Sequence, residues 1–239
     1  MKDRARESGV QRNAARPAMG RSLPMLTVYG RKSSFNVQKV MWLVGELGIV
    51  HTHVERGGSH GGLGTAEFRA MNPHGRVPVV DDNGTIIWES HAILRYLAAC
   101  YGRGRFWSDD AAQRSLCDRW MDWSQTTLQP DFLIGVFWAY YRTPPSQRNM
   151  AAVDEKVRRC GEDFLLIDSI LADRDFLLGK ELSLADIPIG TNLYRYFNLD
   201  IARPRLPNVE RWYRTLQARP AYRKHVMVPF EELRGRLAY

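Results

Sequence analysis

The chain has 239 residues, of which 44% are apolar and 25% are charged, an ordinary composition for a globular protein with one large or two small domains. It contains no apolar run of about 18 or more residues, so we expect no membrane span. Arginines interrupt the N-terminus throughout, which excludes the apolar core of a secretory signal. The formal net charge of +8 raises the question of a nucleic-acid partner.

Half of that charge lies at the N-terminus. Residues 1–22 carry six basic and two acidic side chains, a net charge of +4, in a polar segment without periodicity. We therefore predict a disordered basic tail over residues 1–24. The remaining charge is spread among many Arg–Glu pairs, so we expect no nucleic-acid partner. Three widely separated cysteines without a CxxC motif predict no metal site and a cytoplasmic location; these are Cys100, Cys117 and Cys160.

The first structured region is predicted over residues 25–102. A β-run at Leu26–Tyr29 is followed by helically spaced apolar residues from Val37 to Leu47, with Gly48 as the stop. A second β-run is expected near residues 51–54 and a short helix near residues 65–70. The glycine-rich loop between them, residues 57–64, lacks the Gly-Lys-Ser/Thr ending of a phosphate-binding loop.

The most informative stretch runs from Met71 to Leu97. It predicts a short strand opening on Pro78, a turn at residues 82–84, a second strand over residues 85–88, and a helix with Ser90 as its N-cap. This order places the Val77 backbone, the Glu89 carboxylate and a helix N-terminus side by side. Such a surface suits a short peptide that carries both an ammonium and a carboxylate group.

Beyond residue 102 the pattern is helical only. We predict a linker over residues 103–110 and an all-helical domain over residues 111–239, with helices near residues 111–140, 150–171, 183–196 and 207–219. Ser183 to Asp186 forms a capping-box variant, to which we assign a structural role. The predicted fold class is thus a small mixed α/β domain followed by an all-α domain.

Several short motifs carry a resemblance to the cytosolic glutathione transferase superfamily over almost all of residues 25–229. They are Asn72-Pro73, Arg76-Val77-Pro78, Trp88-Glu89-Ser90 and the Ser183–Asp186 box. More narrowly, the chain resembles the bacterial glutathione transferase B proteins, on the residues Gly30-Arg31, Asn36, Arg142-Thr-Pro-Pro145 and Arg211-Trp-Tyr213. The resemblance implies a thioredoxin-like glutathione-binding domain, an all-helical domain, a transferase activity and a homodimer.

Glutathione is an extended γ-Glu-Cys-Gly peptide, and such peptides pair well with a strand edge. The resemblance implies that Val77, before a cis Pro78, bonds the cysteinyl unit through its backbone. Ser90 and the helix N-terminus would hold the γ-glutamyl carboxylate, and Glu89 would pair with the γ-glutamyl ammonium. Arg76 is a candidate for the glycyl carboxylate, although an ordinary exposed arginine fits the sequence nearly as well.

The reaction requires the thiolate of glutathione, and a free cysteine thiol titrates near ~8.5. Ser34, at the start of the first helix, is the first candidate to donate a hydrogen bond to the sulfur. Asn36 is the second candidate and Ser33 the third. Tyr29 is the rival, since some classes use a tyrosine at the end of the first strand. No cysteine occupies positions 31–37, which disfavours the thiol-transferase branch.

The second substrate is expected in the cleft between the domains. One or two residues of an aromatic-rich helix should line it, and Arg142 is a candidate for binding an anionic electrophile, with a surface helix end as the simpler interpretation. The leading hypothesis is transfer of glutathione to a small electrophile, with haloacid or haloalkane dehalogenation within its range. The alternatives are glutathione-dependent peroxide or disulfide reduction and a non-catalytic protein-binding module. The sequence does not contain the Ser-Ser-Cys motif that an isomerase of maleylacetoacetate type would have, which argues against that activity.

Overall fold

A mixed four-stranded sheet organises the N-terminal half of the computed structural model, which describes residues 26–237. The strands are β1 (Leu26–Tyr29), β2 (His51–Val54), β3 (Val79–Asp82) and β4 (Thr85–Trp88). Their order is β2-β1-β3-β4, with β1 parallel to β2 and antiparallel to β3, and β3 antiparallel to β4. The predicted disordered tail and Met25 lie outside the described residues.

Three helices accompany the sheet: α1 (Phe35–Leu47), α2 (Ala66–Met71) and α3 (Ser90–Tyr101). Helix α1 is buried on most of its surface because it packs against α3 on one side and against the C-terminal helices on the other. Gly48 ends it in the left-handed conformation at φ 65°, as the sequence predicted. The mixed sheet with helices on its faces is therefore confirmed.

The junction from β4 to α3 corrects two details of the sequence prediction. The strand after the cis Val77–Pro78 bond opens at Val79 rather than at Pro78. Ser90 is the first helical residue and not the N-cap, which is Glu89 at φ 69° and ψ 118°. The chain turns from strand into helix within one left-handed residue, so the cap position falls one residue earlier than the side-chain preference of Ser90 suggested.

The C-terminal half is helical, as predicted. Helix α4 (Ala111–Trp123) continues in wider π turns from Ser124 to Arg142, where a single regular helix was expected. Pro130 lacks an N–H group, and the Thr143 N–H bonds the carbonyl of Trp138, five residues earlier. The remaining helices are α5 (Met150–Ile170), α6 (Asp186–Asn198), α7 (Pro207–Gln217) and α8 (Pro220–His225).

Helix α6 begins later than predicted, and the capping box explains why. The Asp186 carboxylate accepts bonds from the Ser183 backbone N–H (2.9 Å) and hydroxyl (2.8 Å), and from the Leu177 N–H (2.9 Å). Residues 183–185 are therefore held as a turn beneath the helix, and the structural role assigned to this box is confirmed. Helix α8 was missed because Pro220 starts a new helix two residues after α7 ends.

The two halves share one hydrophobic core and a polar junction at Glu46. Its carboxylate accepts from Trp42 Nε1 (3.1 Å) and Arg105 Nη2 (3.1 Å), and from Arg219 Nε (2.7 Å). Glu46 lies on α1, Arg105 follows α3, and Arg219 lies between α7 and α8. This network helps to fix the helical half against the C-terminal end of α1.

Candidate active site

A cavity of about 500 Å³ opens between the two halves at the N-terminus of α1. Residues after β1, the loop before β3 and the inner face of the π-helical segment line it, together with one residue of α6. The lining residues are Arg31, Ser34, Phe35, Asn36, Leu63, Gly75, Arg76, Val77, Gln129, Leu133, Ile134, Trp138 and Arg195. The cavity therefore combines polar groups at one wall with apolar side chains at the other.

Ser34 and Asn36, the first two candidates for thiol activation, both line the polar wall. Ser34 occupies the N-cap position of α1, yet its hydroxyl makes no capping hydrogen bond. The amide Oδ1 of Asn36 is buried and has no hydrogen-bond partner among the described residues. The first N–H groups of α1 point toward the same space, because a helix leaves them unpaired. This wall can therefore offer several donors to an anion.

The other two candidates for thiol activation do not line this cavity. Tyr29 ends β1 and is half-buried there. Ser33 lines a separate cavity with residues 58–60 and 232–236, and its carbonyl accepts a bond from Arg195 Nη2 at 2.7 Å. The geometry thus favours Ser34 and Asn36 over Ser33 and Tyr29.

The loop before β3 presents Val77 to the cavity. Asn72 holds this loop from beneath, since its Nδ2 donates to the Arg76 carbonyl (2.9 Å) and its Oδ1 accepts from the His74 N–H (3.1 Å). Across the described residues, the backbone N–H and C=O of Val77 have no hydrogen-bond partner. Gly30, at φ 146°, permits the close approach, because a Cβ there would come within 3.0 Å of the Val77 Cβ.

Arg76 also lines the cavity and is exposed, which fits both of the interpretations that its sequence position allowed. Pro78 lies two residues after Arg76 and is buried. It is joined to Val77 by the cis bond that the resemblance implied.

Glu89 and Ser90 do not line this cavity, but they lie at the same end of the β3–β4 ladder as Val77 and Pro78. The register pairs Val79 with Trp88, so the next residues outward are Pro78 and Glu89. Glu89 is exposed, whereas Ser90 is buried in the first turn of α3. An anion at this twelve-residue helix would meet free N–H groups and the positive end of the helix dipole. The structure thus keeps an acidic group and an anion-binding helix end adjacent.

Three arginines that converge on the cavity were not predicted as a group. Arg31 and Arg195 line it, and Arg142 lies behind Trp138 with its guanidinium 4.0 Å from the centre of the indole ring. Burial, followed by the charges of Arg31 and Arg142, lowers the pKa of Arg195 to about 9. Burial and then Arg31 likewise lower the pKa of Arg142 to about 10. All remain cationic near pH 7, so the cavity has a strongly positive potential.

One of these arginines corrects the sequence analysis. Arg142 is fully buried, so its simpler interpretation as a surface helix end is wrong. It donates from Nε to the Arg236 carbonyl at 2.8 Å, because the C-terminal segment folds over the end of the π-helical segment. Arg195 carried a signal that could have identified it, since it is the single basic residue of helix α6. Nothing in the local sequence distinguished Gln129.

Comparison with known proteins identifies the family and the fold. The model of the glutathione S-transferase N-terminal domain matches residues 28–105, and that of the C-terminal domain matches residues 129–220. The chain belongs to the glutathione S-transferase family. This membership confirms the predicted fold class, a thioredoxin-like domain followed by an all-helical domain, and the enzyme class of the transferase.

Individual relatives agree with the narrower resemblance. Glutathione S-transferase GstB of Escherichia coli strain K12 is 41% identical over 207 residues, which is 86% of this chain and 99% of that protein. A theta class glutathione S-transferase from Xanthomonas axonopodis pv. citri, solved with glutathione bound, is 40% identical. That structure superposes on the present chain with a TM-score of 0.81, over 86% of the present chain and 99% of the solved chain.

A more distant relative bears on the non-catalytic alternative. Elongation factor 1-gamma 3 of Oryza sativa subsp. japonica is 29% identical over 163 residues, which is 67% of this chain and 38% of that protein.

Two features are absent from residues 26–237. No cluster of three or more His, Cys, Asp or Glu side chains is arranged to hold a metal ion, and no helix has the length and apolar character needed to cross a membrane.

Proposed function

We propose that the transferase ionises the thiol of glutathione at the N-terminus of α1 and transfers the resulting thiolate to a small electrophile in the adjoining cavity. The observation that carries this proposal is the cavity itself. It joins the Ser34 hydroxyl, which makes no capping bond, and the Asn36 side-chain amide to the open backbone of Val77 and to an apolar chamber for a second reactant. Ser34 and Asn36 are the catalytic residues in this scheme, because they contact the reacting sulfur.

Glutathione binds along the loop before β3 and the start of α3. The Val77 N–H and C=O pair with the cysteinyl unit, and Pro78 shapes the backbone that presents them. Ser90 and the free N–H groups of α3 hold the γ-glutamyl carboxylate, while Glu89 pairs with the γ-glutamyl ammonium. Arg76, exposed at the cavity rim, binds the glycyl carboxylate. This seating places the sulfur at Ser34 and Asn36.

The thiol loses its proton to solvent as the thiolate forms, and the donors at the start of α1 stabilise the negative charge on sulfur. The sulfur lone pair then attacks an electrophilic carbon. With a haloacid, a carbon–sulfur bond forms, the carbon–halogen bond breaks, and the halide leaves with the bonding electron pair. No redox co-reactant is required, which suits a site whose donors are amide, hydroxyl and guanidinium groups.

The arginines favour haloacids over haloalkanes within this class. A carboxylate that accompanies the reactive carbon meets the cationic groups of Arg31 and Arg195, and the apolar wall at Phe35, Leu133 and Trp138 receives the rest of the molecule. The direct test measures chloride released from 2-chloroacetate with and without glutathione, after subtraction of the uncatalysed reaction. We expect release that needs both protein and glutathione. Absence of release from haloacids and haloalkanes alike would contradict the dehalogenation proposal.

The seating of glutathione predicts the behaviour of two variants. Glu89→Ala and Ser90→Ala should each weaken retention on immobilised glutathione. Each substitution removes the partner of a charged group, and a hydrogen bond to a charged group contributes roughly 1.5–3 kcal/mol. Glu181→Ala serves as the control, since Glu181 is an exposed carboxylate on a loop outside the site. If both site variants elute with the parent and the control, the γ-glutamyl end binds elsewhere.

We further propose a cytoplasmic homodimer with a role in detoxification, divided into residues 25–102 for glutathione and residues 111–239 for the electrophile. A non-catalytic protein-binding module would retain the fold without turnover, so it would release no chloride in this assay. Disulfide or peroxide reduction would use the same thiolate but release no halide.

A further inference from the structure

Lys39 is a fully buried lysine that has no carboxylate in contact with it among the described residues. Its Nζ lies 2.7 Å from Oε1 of Gln129 and 3.2 Å from Nε2 of His91. The third side of the ammonium faces the ring of Phe35, whose centre is 4.8 Å away. Lys39 on α1 therefore joins the π-helical segment of one half to the start of α3 in the other.

The chemistry of an ammonium group fixes the orientation of both polar partners. In its protonated form Lys39 only donates, so in that form it meets the carbonyl oxygen of Gln129, and His91 Nε2 acts as an acceptor. Burial, followed by the charges of Lys39 and Arg95, lowers the pKa of His91, which keeps its ring neutral. Burial also lowers the pKa of Lys39 to about 7, while the nearby Glu89 opposes that shift.

The bond to Lys39 also determines the direction of the amide nitrogen of Gln129. With Oε1 tied to Lys39, the two N–H donors are directed away from it, and Gln129 lines the cavity together with Ser34 and Val77. Within residues 26–237 that nitrogen has no acceptor. The cavity thus contains an oriented pair of amide donors that the contacts of this chain leave unused.

The position of these amide donors indicates which group of bound glutathione they contact. Through Lys39, Gln129 is two hydrogen bonds from His91, the second residue of α3. The start of α3 is the seat of the γ-glutamyl carboxylate in the proposed function, on which this inference rests. We propose that Gln129 donates to the γ-glutamyl carboxylate of bound glutathione, and that Lys39 is the positioning residue which orients Gln129.

The decisive variant is Gln129→Glu. It retains an oxygen for Lys39, so the buried ammonium keeps a partner, but it replaces the amide donors by a negative charge. The probe is S-methylglutathione, which cannot react. A second probe is the same peptide with a hydrogen in place of the γ-glutamyl carboxylate. Gln113→Glu, at an exposed position of α4, is the charge-matched control.

For S-methylglutathione we expect Kd to rise about 10-fold or more in Gln129→Glu, the effect of losing a hydrogen bond to a charged group. The probe without the carboxylate should bind parent and variant within about 3-fold, consistent with loss of one specific partner. Gln129→Leu, which removes the donors without adding charge, should show the same selectivity. An equal loss for both probes, or no loss for either, overturns the assignment. A parent that binds neither probe overturns the proposed function itself.

The role of Lys39 is tested by coupling. Lys39→Met keeps the unbranched shape and most of the length of the side chain but removes the terminal ammonium group. It should therefore weaken S-methylglutathione binding in the parent and have little further effect in Gln129→Leu. If Lys39→Met has the same effect in both backgrounds, Lys39 does not act through Gln129. Melting temperatures of all variants identify any loss of folded protein before the affinities are compared.

Discussion

Replacement of Ser34 with alanine should lower the rate of glutathione transfer by about 10- to 1000-fold, the span for losing one well-placed donor or proton-transfer group. The Ser34 hydroxyl makes no capping bond in α1, so its removal costs the helix little while the thiolate loses a donor. Because the thiolate needs this bond more than the thiol does, catalysis should fall more than glutathione affinity. The measurement is kcat together with the absorbance of bound thiolate as a function of pH.

The neighbouring variants provide the controls for this experiment. Asn36→Ala should act in the same direction as Ser34→Ala, and both should move the bound thiol titration to higher pH. Ser33→Ala should have little effect, since Ser33 faces another cavity and contacts Arg195 through its backbone carbonyl. Tyr29→Phe should also have little effect. If only Tyr29→Phe shifts the titration, Tyr29 is the activating residue and the assignment of Ser34 and Asn36 is wrong.

Replacement of Arg195 with glutamine should change which electrophile the enzyme prefers. The variant keeps a side chain that can donate hydrogen bonds, but it is too short to replace the Nη2 atom that contacts the Ser33 carbonyl at 2.7 Å, and the cavity loses a buried positive charge. We expect kcat/KM for 2-chloroacetate to fall about 10- to 150-fold, from roughly 1.5–3 kcal/mol for a hydrogen bond to a charged group. The comparison substrate is 2-chloroacetamide, which has the same reactive carbon and leaving group without the charge.

For 2-chloroacetamide, kcat/KM should change little in Arg195→Gln. Equal losses for the two substrates would mean that Arg195 supports the structure of the cavity and does not recognise a carboxylate. Arg214→Gln is a suitable control, because Arg214 is an exposed arginine on α7 outside the cavity. It should leave the ratio of the two substrates at the parental value.

Local patterns in the sequence predicted the sheet and the main helices, and the resemblance carried by its motifs supplied the residues proposed to bind glutathione. The alternation of strand and turn residues over residues 79–88 is a short-range signal, and so is the left-handed stop at Gly48. The Val77, Glu89 and Ser90 triplet could be located for the same reason, since a hairpin and a helix start bring neighbouring residues together. The one-residue error at Ser90 arose because Glu89 takes a conformation at positive φ that side-chain preference does not reveal.

The electrophile side of the cavity could not be predicted in the same way. Arg31 and Arg195 meet across more than 160 residues of chain, and their meeting depends on how α6 packs beneath α1. Gln129 lies in a segment whose π turns change which side chains share a face. Helical spacing alone predicted a regular helix there, so the orientation of Gln129 toward Lys39 required the folded structure.

The central claim is that the glutathione sulfur lies at the N-terminus of α1, and a crystal structure of the protein with glutathione tests it most directly. We predict that the sulfur lies within about 3.5 Å of the Ser34 hydroxyl or the Asn36 amide, with the γ-glutamyl carboxylate at the start of α3 and the cysteinyl backbone on Val77. A sulfur bound at Tyr29, or glutathione seated outside the cavity, would contradict the account.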